Sequence, residues 1–378
     1  MLEPRERLAF DLALLAEGGS GLYSVVEWIA IAPHVCTEIL LSAEEARVLG
    51  EQSPSRLVAL DELAVTCPRD VLESLLEKQL LVAEGDEAEA RDGRLRGTHW
   101  RAASAIMHSA SRWHGVDTAK VARDFDAQVE GNVLDHLGPP PPVVREHVPA
   151  DRRQVLPQTE TSAFDQLLLR RVTCRNYDRS RRLALAEFSA VLYRTFGARA
   201  VVDMAPGVRL LKKGVPSAGG LHPTEAYLLV QRVEGVEPGL YHYHPIDHAL
   251  EPIRILSSSE AVELAHRFVA AQDYFADAHV MVIPTSRFRR NFWKYRNHAK
   301  AYRALTLDVG YLSHTIYLSA TELGLAAFIT AAINEVDIEE AFGLDPLEEG
   351  PLAVCGFGYR AAERREVEFD PLHVVWPE

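Results

Sequence analysis

Arg171, Thr173 and Arg175, in the stretch RRVTCRNY, fall at every second position. In an extended segment alternate side chains share a face, so this stretch would present two guanidiniums and a hydroxyl side by side. Such a set suits a phosphate, because arginine offers paired donors and threonine a third. A solvated basic face is the other reading of the same residues. A second stretch, GVPSAGGLHPTE from Gly214 to Glu225, is notable for its lack of bulk. Pro216, Ser217, Ala218, Gly219 and Gly220 leave the main chain bare, and paired glycines supply the φ freedom to aim N–H groups at something large. A tight turn before a strand is the plainer alternative. Ser217 with His222 does not form a hydrolase elbow, because the local pattern is GVPSAG rather than GxSxG. His242 and His244 share a strand face and His248 follows, yet no carboxylate or cysteine at ligand spacing completes a metal site, and no metal is expected.

The chain as a whole bounds what these residues can serve. Its 378 residues, 47% hydrophobic and 25% charged, suffice for two domains with a core each. The excess of 54 acidic over 40 basic residues, a net charge of -14, repels a phosphate backbone and an anionic membrane surface alike. Neither nucleic acid nor a membrane is expected as a partner. Cys36, Cys67, Cys174 and Cys355 are far apart without a CxxC pair, which reads as reduced thiols. The N-terminal MLEPRERLAFDLALLAEGG mixes charges into its apolar residues, unlike a signal peptide, and no later run reaches membrane-spanning length. A cytoplasmic protein is expected.

Three regions follow from the periodicity. In 1–92, runs rich in Val, Ile and Thr from Leu22 to Leu41 predict two strands turning near Pro33 and His34. Ser42 with Glu45 forms a capping-box pair opening one helix, and Pro68 starts another with Leu72, Leu75, Leu76 and Leu80 on one face. The acidic run GDEAEARDG, Gly85 to Gly93, reads as a surface loop. A connector, 93–150, holds a helix stopped at Gly115 and the extended, proline-rich spacer Gly138 to Pro149. The third region, 151–378, predicts helices at Thr161–Arg170 and Leu185–Phe196, a run of short strands, and a long helix through Tyr302, Leu305, Val309, Leu312, Ile316 and Leu323. That helix also carries Leu307, Tyr311 and Leu318 on a second side, which places it centrally or in a dimer interface. Strands at Ala326–Thr330 and Leu352–Phe357 complete a mixed sheet flanked by helices, an α+β fold preceded by a small winged-helix-like domain.

The Arg-x-Thr-x-Arg-x-Tyr opening resembles that of the nitroreductase-like flavoproteins, and PSAGGLHPTEAY resembles their SagB-type, azoline-oxidising branch of peptide-maturation dehydrogenases. GLYHYHPIDHALEPI, the long helix and PLAVCGFGY follow in the same order, so the resemblance spans roughly Thr161 to Arg360. It implies FMN bound between two subunits of a homodimer, with Arg171, Thr173 and Arg175 on the phosphate and Pro216 to Gly220 along the flavin ring. Arg360 is a further candidate phosphate cation, with an ordinary surface arginine as the alternative. A Lys-Tyr pair before the long helix, here Lys294 and Tyr295, is the implied proton-removing base, although the spacing to the following Tyr-Arg is two residues longer than in the family. Where the family carries an Ile-Gly-Gly turn against the flavin, this chain has Ile329, Thr330, Ala331 and Ala332. The first region resembles the PqqD-type domain that binds a leader peptide as an added edge strand. The implied activity is FMN-dependent dehydrogenation of an azoline to an azole in a ribosomally made precursor peptide, alongside a cyclodehydratase or other maturation enzymes. The same features admit an NAD(P)H-dependent reductase of dehydroamino acids, nitroaromatics or quinones, or a docking subunit without chemistry.

Overall fold

The computed structural model describes residues 1–35, 37–53, 55–128 and 137–377. The chain divides into two compact units, Met1–Arg112 with Phe292–Tyr302, and Trp113–Asn291 with Arg303–Glu378.

The first unit is built on an antiparallel sheet of β1 (Leu2–Phe10), β2 (Leu22–Ile31) and β3 (Glu38–Leu41), in that order. Pairing of Leu2 with Ala30 and of Leu41 with Trp28 brings the apolar positions of all three strands onto one face. There Ala30 and Leu41 pack against Ala46 and Val48 of the helix Ala43–Glu51 and against Leu72 and Leu75 of the helix Arg69–Glu77. The expected capping box is present: Ser42 N–H donates to Glu45 (2.7 Å) and Glu45 N–H donates to Ser42 Oγ (3.1 Å).

Two elements differ from expectation. β1 adds a strand that its charged residues conceal, because Arg5 and Arg7 do not face solvent alone but bind Glu38 on β3 and Glu27 on β2. The acidic run read as a loop is largely a helix, Glu87–Gly97, started by the Asp86 side chain accepting from Glu89 N–H at 2.6 Å. Only Ala88 of that helix is buried, so it carries no apolar stripe to betray it.

In the second unit a seven-stranded sheet runs β10 (Ala326–Thr330), β12 (Val354–Gly358), β9 (Val280–Arg287), β6 (Thr224–Val230), β7 (Gly239–His244) and β8 (Ala249–Ile255), with β11 (Glu349–Pro351) also on β9. These strands pair antiparallel. A parallel bridge between Thr173 and Ala327 hangs the basic stretch on β10 and makes the sheet mixed. Alternation along β6 feeds two layers. Ala226, Leu228 and Val230 meet Phe188, Val191 and Leu192 of the helix Leu185–Thr195 and Leu312, Ile316 and Ala320 of the long helix Ala301–Glu322. On the other face Leu229, Met281 and Ile283 meet the helices Ser258–Phe268 and Glu335–Phe342. The architecture is α+β, with helices on both faces of the sheet. β4 (Ala198–Ala205) and β5 (Val208–Lys213) form a separate hairpin.

The long helix buries Leu305, Val309, Leu312, Ile316 and Ala320 along one side. Its opposite side exposes Arg303, Leu307, Gly310, Tyr311 and His314, with Leu307 54% and Tyr311 44% accessible. Residues 138–149 form neither helix nor strand, as the prolines require, while 129–136 of the connector lie outside the described residues. Cys67, Cys174 and Cys355 are free and buried; Cys36 lies outside the described residues. Among the described residues no helix is long and apolar enough to cross a membrane.

Candidate functional site

The basic stretch leaves the helix Ala163–Arg170 in extended conformation, and burial alternates along it: Val172, Cys174 and Asn176 are buried, while Arg171, Thr173 and Arg175 are half-exposed. The cause is the bridge to β10, where Cys174 N–H donates to Ala327 C=O at 2.9 Å and turns the odd-numbered side chains outward. Thr173 Oγ1 lies 2.9 Å from the Tyr317 hydroxyl, and the Arg171 guanidinium stands 5.3 Å from the Tyr317 ring centroid. Arg175 donates to Val367 C=O at 3.0 Å and lies 5.5 Å from the Tyr274 ring centroid.

Arg360 has a different environment from the other two arginines. It is paired directly with Glu368, whose side chain is fully buried. Glu368 also accepts from the N–H groups of Arg175 (2.6 Å) and Asn176 (3.1 Å), from Asn176 Nδ2 (2.8 Å) and from Trp376 Nε1 (2.8 Å). Asn176 Oδ1 in turn accepts from Arg365 and Glu366 N–H, both at 2.7 Å. The C-terminal segment is thus fastened to the basic stretch, and the charge of Arg360 is taken up in the fastening rather than left for a ligand.

Pro216 to Gly220 form a tight turn ending in a single turn of 3-10 helix, with Gly219 (φ 62°, ψ 13°) and Gly220 (φ 69°) in the left-handed region. Pro216 and Gly219 are exposed, and a Cβ built on Gly220 would meet nothing within 4 Å, so open space lies beside the turn. The turn is anchored from behind by Asp308 of the long helix, which is 3% exposed. Asp308 accepts from Ser217 Oγ at 2.5 Å and from Ala218 N–H at 3.1 Å, while Ser217 Oγ accepts from His222 N–H at 3.0 Å. Burial raises the Asp308 carboxyl above its ordinary pKa, against the pull of these two donors. Burial, with Lys213 and Arg290 nearby, pushes the His222 imidazolium down to about 4. Lys213 itself is 4% exposed, and its ammonium is lowered by the same desolvation.

Thr330 does not offer a free hydroxyl. Its Oγ1 donates to Gln272 Oε1 and accepts from Ala332 N–H, both at 3.2 Å, so the side chain shapes the turn that carries exposed Ala331. Lys294 and Tyr295 belong to the first compact unit, where Lys294 Nζ lies 5.8 Å from the Tyr295 ring centroid. The three histidines have separate partners: His242 binds Glu251 (2.6 Å), His244 Asp247 (3.1 Å), and His248 both Tyr243 (2.6 Å) and Ser189 (2.8 Å).

The bare turn Pro216–Gly220 and the basic stretch are both tied to the long helix, at Asp308 and Tyr317. At about 1.5 Å and 100° per residue these positions lie roughly 13 Å apart along the axis and half a turn apart around it. The exposed stripe Leu307, Gly310, Tyr311 and His314 runs between them. Asp308, Tyr317 and Glu368 escaped the sequence reading. For Asp308 a signal existed, a lone carboxylate beside the apolar positions Leu305, Val309 and Leu312; for Glu368, within an acidic and basic tail, there was none.

A protein-family model described as "Nitroreductase family" matches residues 168–359, and the chain belongs to that family. A Methanocaldococcus jannaschii protein described as a nitroreductase is 32% identical over 203 residues, 54% of this chain and 94% of its own length. The trifolitoxin-processing protein TfxB of Rhizobium leguminosarum bv. trifolii is 34% identical over 149 residues, 38% of this chain and 38% of TfxB, so the match spans well under half of that relative. Among solved structures, similarity extends to a chain of the E. coli microcin synthetase McbBCD complex with truncated pro-MccB17 bound (18% identity, 76% of this chain and 97% of that one, TM-score 0.44). A solved structure of an Anabaena variabilis protein described as a nitroreductase is 19% identical, covering 73% of this chain and 66% of its own, with TM-score 0.44.

Proposed function

We propose that this chain is an FMN-dependent oxidoreductase that dehydrogenates an azoline ring in a ribosomally made peptide. The observation that carries the flavin reading is the bare turn Pro216–Gly220, with left-handed glycines and open space beside it, which fits a flat ring at van der Waals distance. Arg171, Thr173 and Arg175 on one face fit its phosphate. Wall and basic face flank the exposed apolar stripe of the long helix, so a second copy packed on that stripe would bring its wall to this chain's basic face. This supports a homodimer with FMN at its interface. Ala331 and the engaged Thr330 would border the ring, and Arg360 would contribute by bracing Arg175 through Glu368.

FMN, when bound, supplies a hydride acceptor. The protein's own work is to present the ring and to take the proton. The Lys294–Tyr295 pair would act together as the base that takes a Cα proton of the azoline, and with transfer of a hydride from the adjacent carbon to that acceptor the ring would become an aromatic azole two hydrogens lighter. Molecular oxygen is the terminal oxidant. In the first unit, the outer edge of β3 pairs with no other described strand. A cavity of ≈ 530 Å³ beside it is lined by Val26, Trp28, Leu40, Leu41 and Lys78. These features support capture of a leader peptide there by strand addition. The peptide assignment is further supported by the resemblance to a protein described as processing trifolitoxin.

The test is to load purified protein with FMN and supply an azoline-containing peptide. Loss of two hydrogens by mass is expected; an unchanged azoline mass overturns the activity. The match along 94% of a Methanocaldococcus jannaschii protein described as a nitroreductase favours a second reading, reduction rather than dehydrogenation, and NADPH consumption without any peptide would select it.

A further inference from the structure

Asp308 is a buried carboxylate for which the proposed chemistry has no use, and it sits directly behind the wall. Its two oxygens take the Ser217 hydroxyl and the Ala218 N–H, and Ser217 is held on its other side by the His222 N–H. Three consecutive features of the turn are therefore fixed from one point: the rotamer of Ser217, the direction of the Ala218 amide, and the return of the chain at His222, itself at positive φ (44°). With its hydroxyl donating to Asp308, Ser217 is not free to donate to anything lying on the outer side. A chain with two adjacent glycines has little intrinsic preference for one shape, so the wall needs such an anchor to keep its surface flat.

We infer that Asp308 is the positioning residue of the flavin wall, and that its carboxylate, held behind that wall by Ser217 and Ala218, biases a flavin in front of it against gaining negative charge. The inference rests on the flavin reading above. It makes two separable statements. Geometrically, loss of either Asp308 or Ser217 loosens the wall and weakens FMN binding. Electrostatically, only loss of the Asp308 charge makes the bound flavin easier to reduce, because a nearby negative charge opposes the anionic reduced form in a site of low dielectric.

The experiment compares full-length wild type, Asp308→Asn and Ser217→Ala by FMN titration, by the midpoint potential of the bound flavin and by thermal melting with and without FMN. Asp308→Asn is isosteric, and Ser217→Ala removes a half-buried hydroxyl, so each can be checked for folding before it is loaded. Both variants are expected to bind FMN about tenfold more weakly, the scale of one charge-assisted hydrogen bond. Only Asp308→Asn is expected to shift the potential to a more positive value. Wild-type affinity and potential in Asp308→Asn overturn the inference while leaving the flavin reading intact. An equal shift of potential in both variants overturns the electrostatic statement. Failure of the wild-type protein to bind FMN at all overturns the flavin reading and this inference with it.

Discussion

Truncation of Glu368 to alanine removes the carboxylate that fastens the C-terminal segment to the basic stretch. Four donors from Arg175, Asn176 and Trp376 converge on it between 2.6 and 3.1 Å, in addition to Arg360. The variant leaves the Arg360 guanidinium, 18% exposed, without its counter-ion. It also leaves two backbone N–H groups without an acceptor. Breaking a buried pair by removing one partner costs about 3–5 kcal/mol, and a stranded buried donor about 1–3 kcal/mol. Because one carboxylate meets both needs the two terms overlap, and a loss of about 4 kcal/mol is expected. Glu368→Gln keeps the volume and one acceptor oxygen, so about half of that loss should remain. Arg360→Met leaves the carboxylate its other donors and should cost less than Glu368→Ala. Urea denaturation followed by tryptophan fluorescence is suited to the test, since Trp376 is in the cluster. The double variant should be more stable than the sum of the single losses by at least about 1 kcal/mol. A loss below about 1 kcal/mol in Glu368→Ala, or additivity within about 0.5 kcal/mol in the double variant, would refute the latch.

Burial, with Arg232 close by, pushes the His279 imidazolium down to about 4. Above about pH 6.5 neither folded nor unfolded chain carries that proton, and below it only the unfolded chain accepts it, so stability falls with pH until about 4 and then levels off. Urea titrations between pH 6.5 and 4.5 should show His279→Leu losing about 1.4 kcal/mol less per pH unit than wild type; identical slopes count against the assignment. Gly220→Ile places a branched side chain at φ 69° in the open space before the wall. It should cost about 1–2 kcal/mol in melting experiments and abolish the flavin absorbance of protein soaked in FMN, an outcome that a variant as yellow as the wild type would contradict. Lys294→Ala and Tyr295→Phe should each slow azoline dehydrogenation about a hundredfold or more, the scale of a lost general base, with FMN content unchanged. Full rates in both would remove the pair from the mechanism.

Much of the fold was legible because its cause is local. The capping box at Ser42 and Glu45, the helix Leu185–Thr195 and the alternation across Arg171, Thr173 and Arg175 are each set by side chains within a few residues of one another. β1 was concealed because its charged face is paired across strands, and Glu87–Gly97 because a polar helix on a surface leaves no periodic signature. Of the site, the bare backbone of Pro216 to Gly220 could be read from residue types alone, while its reading as a flavin wall came from the family resemblance. The partners of its residues could not: Asp308 lies far along the chain from Ser217, and the hydroxyl of Thr330 is claimed by Gln272.

Residue types and spacing by themselves determined which groups are suited to an anion and to a flat ring, since backbone freedom and donor geometry are properties of the residues. Tertiary structure decided which of those groups are already engaged. Arg171 and Arg175 remain without a carboxylate partner among the described residues, whereas Arg360 is neutralised by Glu368. In sequence all three arginines are candidate phosphate cations. Their difference arises because a buried carboxylate must find its donors wherever the folded chain brings them.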